Sequence, residues 1–178
     1  MRIYRYSVRM TLLALVLLVM VGGWILAPDK EREVSLEDVS AADVATVLAE
    51  YYEPLVPMQI GAVSVRASVA ATSAERRQGL SGTPFLPPDV VKLFVFPESG
   101  HHGFWMKHMQ YPIDIIWLDE RSRIVHIETF VQPDSYVDDT NATIFRPDRP
   151  AQYVIETVAG FVDEHDITIA TPVNLPIF

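Results

Sequence analysis

The sequence of 178 residues predicts a mainly β (α+β) domain, a compact antiparallel β barrel or sandwich with short helices, preceded by one N-terminal transmembrane helix. Three observations carry that prediction. From Met58 onward, short apolar or alternating runs recur at roughly ten-residue spacing between turn residues, the texture of an all-β barrel or sandwich. Residues 10–27, MTLLALVLLVMVGGWILA, contain no charge and would make about 27 Å of helix, close to a bilayer core of roughly 30 Å. With 49% hydrophobic and 21% charged residues, the chain is neither disordered nor a coiled coil.

Charge is distributed unevenly. The first 28 residues hold Arg2, Arg5 and Arg9 and no acid, which leaves 11 basic against 23 acidic side chains in the rest. A body that acidic repels phosphate backbones, so nucleic acid is not expected as a partner. The 178 residues include no Cys, which removes disulfides, thiolate nucleophiles and thiolate-bound zinc together.

The arginines ahead of the apolar run place the N-terminus in the cytoplasm by the positive-inside rule. Residues 1–9 then read as a basic cytoplasmic tail and residues 10–28 as a transmembrane signal anchor. Residues 29–57 read as a juxtamembrane helical spacer and residues 58–178 as a β-rich extracytoplasmic domain, periplasmic or at the cell surface. The alternative is a cleaved signal and a secreted body; against it, the run exceeds the usual signal core and the small-x-small cleavage pattern is weak.

Within the spacer, Ser40-Ala-Ala-Asp43 forms a near capping box, and Val44, Val47, Leu48 and Tyr51 recur at helical spacing until Pro54 and Pro57. Val63–Val69 alternates with period two, and Leu93–Phe96 is a continuous apolar run suited to a strand buried on both faces. Between them, Ser73 is positioned to cap a short helix over Glu75–Gln78, ended by Gly79. Ile113–Leu118 and Ile124–Val131 flank a hairpin turn at residues 119–123. Tyr153–Val158 is the next strand, stopped by Ala159-Gly160, and Ile167–Ile169 with Val173 supplies a short last one.

Several stretches occur in a recognisable order: Glu75-Arg-Arg-Gln-Gly-Leu80, Leu93-Phe-Val-Phe96, Phe104-Trp-Met-Lys107 followed by Pro112-Ile-Asp-Ile115, and Ala151-Gln-Tyr-Val-Ile-Glu156 with Ala159-Gly160. Over about residues 60–175 the chain resembles the bacterial and archaeal family called domain of unknown function 192. Its pattern runs ER-x-x-GL, LF-x-F, FWMKNT-x-x-P-L-D-I and A-x-Y-V-L-E with AG. The resemblance implies a compact, mostly β domain, often exported or membrane-tethered, with no established activity. This chain departs from the pattern at Ser81, Gly82 and Thr83, where the family has Met and then Arg. It departs again at His108-Met109 in place of Asn-Thr, and at Ala170-Thr171 in place of Gly-Asp.

The chemistry-bearing candidates cluster around the tryptophan block. Trp105 and Lys107 precede Tyr111-Pro112, an aromatic–proline pair that favours a cis bond. Asp114 opens an apolar strand and needs donors, for which Lys107, Arg76 or amides of the Tyr111 turn are the candidates. Glu156 sits mid-strand on the face of Val154, where Arg76 is a candidate partner. Trp105, Lys107, Asp114 and Arg76 are accordingly the expected ligand-binding set. Asp114, Glu156 and His108 are the acid/base candidates, with Asp114 and Glu156 conceivable as a two-carboxylate pair. His101, His102 and His108 are weak metal candidates, because adjacent histidines on a strand face opposite ways and no HExxH spacing occurs. His126 and His165 read as surface residues. Neither a G-x-S-x-G elbow nor a phosphate-binding glycine loop is present, and no cofactor is expected. The expected function is therefore a membrane-tethered extracytoplasmic binding or accessory module for an envelope ligand or protein partner. The alternative is a hydrolase-like enzyme using Asp114 with Glu156 or His108.

Overall fold

The structure, a computed structural model, describes residues 40–177. The expected cytoplasmic tail, the anchor at residues 10–28 and the first part of the spacer lie outside the described residues. Among the described residues, no helix is long and apolar enough to cross a membrane.

Helix α1 (Ala41–Val47) begins at the expected capping box: Asp43 N–H donates to Ser40 Oγ, and the Asp43 carboxylate accepts from Ser40 N–H, both at 3.2 Å. A π turn (Leu48–Tyr52) follows. Its wider hydrogen bonds shift the helical register, so Tyr51, expected in the apolar stripe, stays 39% exposed. Tyr52 is buried in its place, with its hydroxyl donating to the Phe85 carbonyl.

Strand β1 (Leu55–Ile60) starts three residues inside the segment read as spacer, and Pro57 lies within it rather than stopping a helix. The proline is tolerated because the outer neighbour of β1 pairs only with Gln59 and Ile60, so no ladder bond is forfeited at residue 57 on that side. A tight turn leads into β2 (Val63–Ala70), the alternating run. Helix α2 (Ser73–Gln78) is capped by Thr72 instead of Ser73. Glu75 completes the box by accepting from the amides of Ala71 and Thr72. Strand β3 spans Val90–Gly100, longer than the apolar run. The hairpin β4 (Ile113–Leu118) and β5 (Ile124–Val131) turns through Asp119, whose carboxylate accepts from the amides of Arg121 and Arg123 and from the Arg123 side chain. Strand β6 (Ala151–Val158), helix α3 (Phe161–Glu164) and the two-residue β7 (Val173–Asn174) complete the order. Residues 167–169 form no strand: Thr168 N–H bonds Thr171 Oγ1 in a turn, with Ile167 buried and Ile169 exposed.

The seven strands make one curled, half-barrel sheet in the order β5-β4-β6-β3-β2-β1-β7. A single bridge between Arg123 and Pro172 brings its two ends together at one corner. The sheet is mixed, not antiparallel throughout. β2 and β3 run parallel, because α2 and the segment after it return the chain to the end from which β2 began. The cis peptide lies at Glu53–Pro54, and Tyr111–Pro112 is trans.

Strand alternation divides the buried side chains between two faces. The first face holds Ala70, Phe94, Ile115, Trp117 and Val154, covered by Tyr52, Leu80, Phe104 and Met106 from the helices and loops. The second holds Ile60, Val65, Leu93, Ile116 and Ile155, closed by Phe161, Val162 and Ile167.

Candidate functional site

Polar residues interrupt the first face in one row. Ser68, Lys92 and Glu156 occupy facing positions on β2, β3 and β6, and Ile115 of β4 continues the row. Ser68, Lys92 and Glu156 are all buried. Lys92 Nζ donates to Ser68 Oγ at 3.0 Å, but Glu156 Oε2 has no hydrogen-bond partner among the described residues. Burial pushes the Glu156 carboxyl up to about 8, with Lys92 opposing the shift, and burial holds the Lys92 ammonium below its ordinary value. A carboxylate and an ammonium one strand apart thus both lean towards their neutral forms.

Beside this row lies a second polar group. Tyr52 and Thr83 donate to the carbonyls of Phe85 and Leu80, so the Tyr111 hydroxyl donates to Thr83 Oγ1. Burial raises the Tyr111 hydroxyl far above its usual range, which keeps it neutral.

Glu156 opens into a cleft of about 200 Å³. One wall is α2 and its exit, with Arg76, Arg77, Gly79, Leu80 and Ser81; the opposite wall is Gly103, Phe104, Trp105 and Met109; Phe94 and Phe96 join Glu156 on the floor. The walls are held by backbone pairs. Phe104 and Phe145 exchange N–H···O bonds of 2.9 Å, and Ser81 Oγ and Gly82 N–H donate to the carbonyls of Lys107 and His108. Gly79 is required where it stands. Its φ of +49° suits glycine, and a Cβ there would come 3.2 Å from the Phe94 ring. Arg76 donates to the carbonyls of Ala71 and Val95 and lies 5.1 Å from the Phe96 ring centroid. Trp105 is 44% exposed.

The structure gathers some expected site residues here and disperses others. Arg76, Trp105 and Glu156 share the cleft. Arg76 makes no ion pair with Glu156, because the carbonyls of the α2 entry and of β3 already hold its guanidinium. Lys107 lies outside the lining: its ammonium bonds Asp139 at 2.7 Å, 5.6 Å from the Trp105 ring and 5.8 Å from that of Tyr136. Asp114 projects to the other face with Ile116 and Leu118, fully buried. Its donors are the amides of Phe130 (2.8 Å), Gly160 (3.0 Å) and Val162 (3.0 Å), not Lys107, Arg76 or the Tyr111 turn. Burial still leaves its carboxyl above the ordinary value, against the pull of those amides. With the sheet between them, Asp114 and Glu156 do not form a two-carboxylate centre.

The histidines also separate. His101 Nδ1–H donates to the Pro147 carbonyl, while His102 Nε2–H donates to Glu98 and its ring stacks on Phe96 at 3.6 Å. His108 occupies a left-handed turn 6.4 Å from the Tyr136 ring, outside the cleft lining. Among the described residues, no group of three acids or histidines could hold a metal ion. His126 is less of a surface residue than expected: it is half-buried against Trp117, with Glu128 and Asp148 at 3.0 and 3.4 Å. His165 caps α3, its ring edge-on to Phe161.

Sequence reasoning missed Lys92, Ser68 and the cleft role of Arg77. The signal for Lys92 was a charge inside Val90-Val-Lys-Leu-Phe-Val-Phe96, visible once the strand is started at Val90. Two of the three departures from the family pattern touch, since Ser81 and Gly82 bond the carbonyls of Lys107 and His108, and Ser81 and Met109 both line the cleft.

Residues 56–175 match the family model of domain of unknown function 192, described as Uncharacterized ACR. Among solved structures, a protein of unknown function from Novosphingobium aromaticivorans is similar at 23% identity and a TM-score of 0.62, over 72% of this chain and 96% of that one. A Sinorhizobium meliloti protein, provisionally named a transcription regulator, is similar at 21% identity and a TM-score of 0.59, over 67% of this chain and 94% of that one. At such identities the likeness is one of fold. No curated protein matches the sequence.

Proposed function

The chain belongs to the domain of unknown function 192 family, and we propose that it is a binding module whose cleft takes a small polar molecule outside the cytoplasm. One observation carries the reading: Glu156, a buried carboxyl with an unpartnered oxygen, underlies a cleft flanked by the exposed indole of Trp105. Native chains rarely leave such an atom unpaired, and one that lines a concave site marks a place where a bound group can complete it. The family's ordered motifs supply both walls and the floor. Tethering through residues 10–28 remains part of the proposal, supported by the uncharged apolar run behind three arginines. An envelope-associated ligand follows from that placement.

An acid/base enzyme is the second reading, favoured by the raised Glu156 carboxyl, the property a general acid needs at neutral pH. In this reading Glu156 acts without Asp114 or His108, neither of which lines the cleft.

A thermal-shift screen of the full chain in detergent micelles tests the proposal, using envelope sugars, peptidoglycan fragments and amino acids as probes. A specific ligand raises the melting temperature by mass action, and Trp105→Ala abolishes the rise in a protein that still folds. A rise that persists in Trp105→Ala would place binding elsewhere. Turnover of a bound probe, lost in Glu156→Gln, would select the enzyme reading.

A further inference from the structure

Two ionisable groups of opposite kind, a carboxyl and a guanidinium, line the cleft. On the floor, Glu156 Oε2 lacks a partner, and the neighbouring ammonium of Lys92 is engaged by Ser68. On the lip, Arg77 lines the same cleft and its side chain makes no hydrogen bond or ion pair among the described residues, whereas Arg76 is tied to two carbonyls and Phe96. On the wall facing Arg77 stands the exposed Trp105 ring, whose environment already accepts a cation in Lys107.

We propose that the cleft binds a zwitterion of the α-amino-acid type, its ammonium on Glu156, its carboxylate on Arg77 and an apolar side chain against Trp105. The inference rests on the binding reading above and names its ligand class. A simple anion would pair with Arg77 and leave the unpartnered Glu156 oxygen without a donor. A simple amine would reach Glu156 but leave the Arg77 guanidinium unanswered, and a neutral sugar would use neither charge. A ligand that carries both an ammonium and a carboxylate answers both, and the α-amino acid is the smallest class that does. The volume of about 200 Å³ falls below the roughly 300–1,000 Å³ of drug-sized sites and suits one amino acid better than a chain. Ser81 and Met109, which depart from the family pattern, stand on the two walls and would shape the fit of the side chain.

Binding carries a proton signature. The groups facing Glu156 are Lys92 on β3, the hydroxyls of Tyr52 and Tyr111, and Arg76 and Arg77 on α2. β4 contributes only Ile115. The Glu156 carboxyl, raised to about 8, is mostly protonated at pH 7 and must ionise to hold an ammonium, so its proton leaves to solvent as the ligand docks. Affinity therefore climbs between pH 6 and pH 8 and falls again once the ligand amine loses its own proton.

Isothermal titration calorimetry of the full chain in micelles tests this, using L-phenylalanine, phenethylamine, 3-phenylpropanoate and glucose in two buffers of different ionisation enthalpy. Phenylalanine is expected to bind at least tenfold tighter than either half-molecule, by about one charged hydrogen bond. At pH 7 it should release up to about one proton. Glu156→Gln removes the proton release and weakens phenylalanine roughly tenfold to hundredfold. Arg77→Gln, on an exposed helix position, weakens phenylalanine but not phenethylamine, and keeps the test decisive should Glu156→Gln fail to fold. Equal affinities for phenylalanine and its two halves, or binding without proton release, would overturn the inference. Trp105-dependent binding of glucose with none of phenylalanine would also overturn it, while leaving the broader binding reading standing. Failure of every probe in this titration and in the screen would remove both.

Discussion

Asp114 and Glu156 are both carboxylates on adjacent strands, in neighbouring rows of the sheet, and both are nearly sealed from solvent, at 0% and 5% exposure. On the second face, Asp114 receives three backbone N–H groups, one from the end of β5 and two from the turn into α3. It thereby fastens three parts of the chain. On the first face, Glu156 receives none at Oε2 and opens into the cleft. Burial raises both carboxyls, but only Glu156 lacks the amides that oppose the rise, and its remaining counterweight is Lys92. The contrast shows how one residue type becomes a fully satisfied fastening in one place and keeps an unpartnered oxygen in another. What decides is whether the chain itself answers its lone pairs.

The largest expected effect tests the unanswered side. A carboxyl whose folded value lies above its unfolded one binds its proton more tightly in the folded state, so its contribution falls as pH rises through the interval. For Glu156 the window runs from about 4.5 to about 8. Stability should drop by up to about 1.4 kcal/mol per pH unit there, and Glu156→Gln should remove most of that slope in pH-dependent thermal melts. Because Asp114 is raised as well, a residual slope should persist at the acidic end. An unchanged slope in Glu156→Gln would mean that solvent or another group already compensates the carboxylate.

On the answered side, Asp114→Asn turns an amide nitrogen towards one or more of the three N–H donors. The expected cost is about 3 kcal/mol, a fall in melting temperature of the order of 10 °C, with ligand affinity unchanged in the folded fraction. Loss of binding at unchanged stability would break the comparison, since it would make Asp114 part of the site. A smaller effect is expected from Gly79→Ala, which places a Cβ at a strained φ against Phe94, at the junction of α2 and the cleft. It should cost about 1–2 kcal/mol in chemical denaturation and weaken any Trp105-dependent ligand. The smallest effect belongs to Lys107→Ala, which removes an exposed pair with Asp139; the melting temperature should barely move. A large drop there would show that the Trp105–Tyr136 side of the cleft depends on that pair.

Much of the fold was legible because it rests on local rules. The Ser40–Asp43 capping box, the alternating run at Val63–Val69, the hairpin around Asp119 and the stop at Gly160 each arise from a few neighbouring residues, and each stands where it was expected. The errors came where distant packing overrode a local signal. Pro57 reads as a helix stop but lies in a strand whose outer partner is only two residues long. Tyr51 fits a 3.6-residue stripe that the π turn displaces. The parallel β2–β3 pair depends on where the crossover returns the chain.

For the site the division is sharper. Part of the chemistry-bearing set could be read from the sequence: a tryptophan beside a lysine, a carboxylate opening an apolar strand, a glutamate in mid-strand. Which of them meet could not, because neighbours across a sheet are set by register, and register joins residues dozens of positions apart. Lys92 meets Glu156 because β3 pairs with β6, and Asp114 is parted from Glu156 because a strand alternates its side chains between two faces. By itself the sequence determined a mainly β domain of this family with a polar set around the tryptophan block. The tertiary structure alone decided that Asp114 is satisfied by backbone amides and that Glu156 keeps an unpartnered oxygen beneath the cleft.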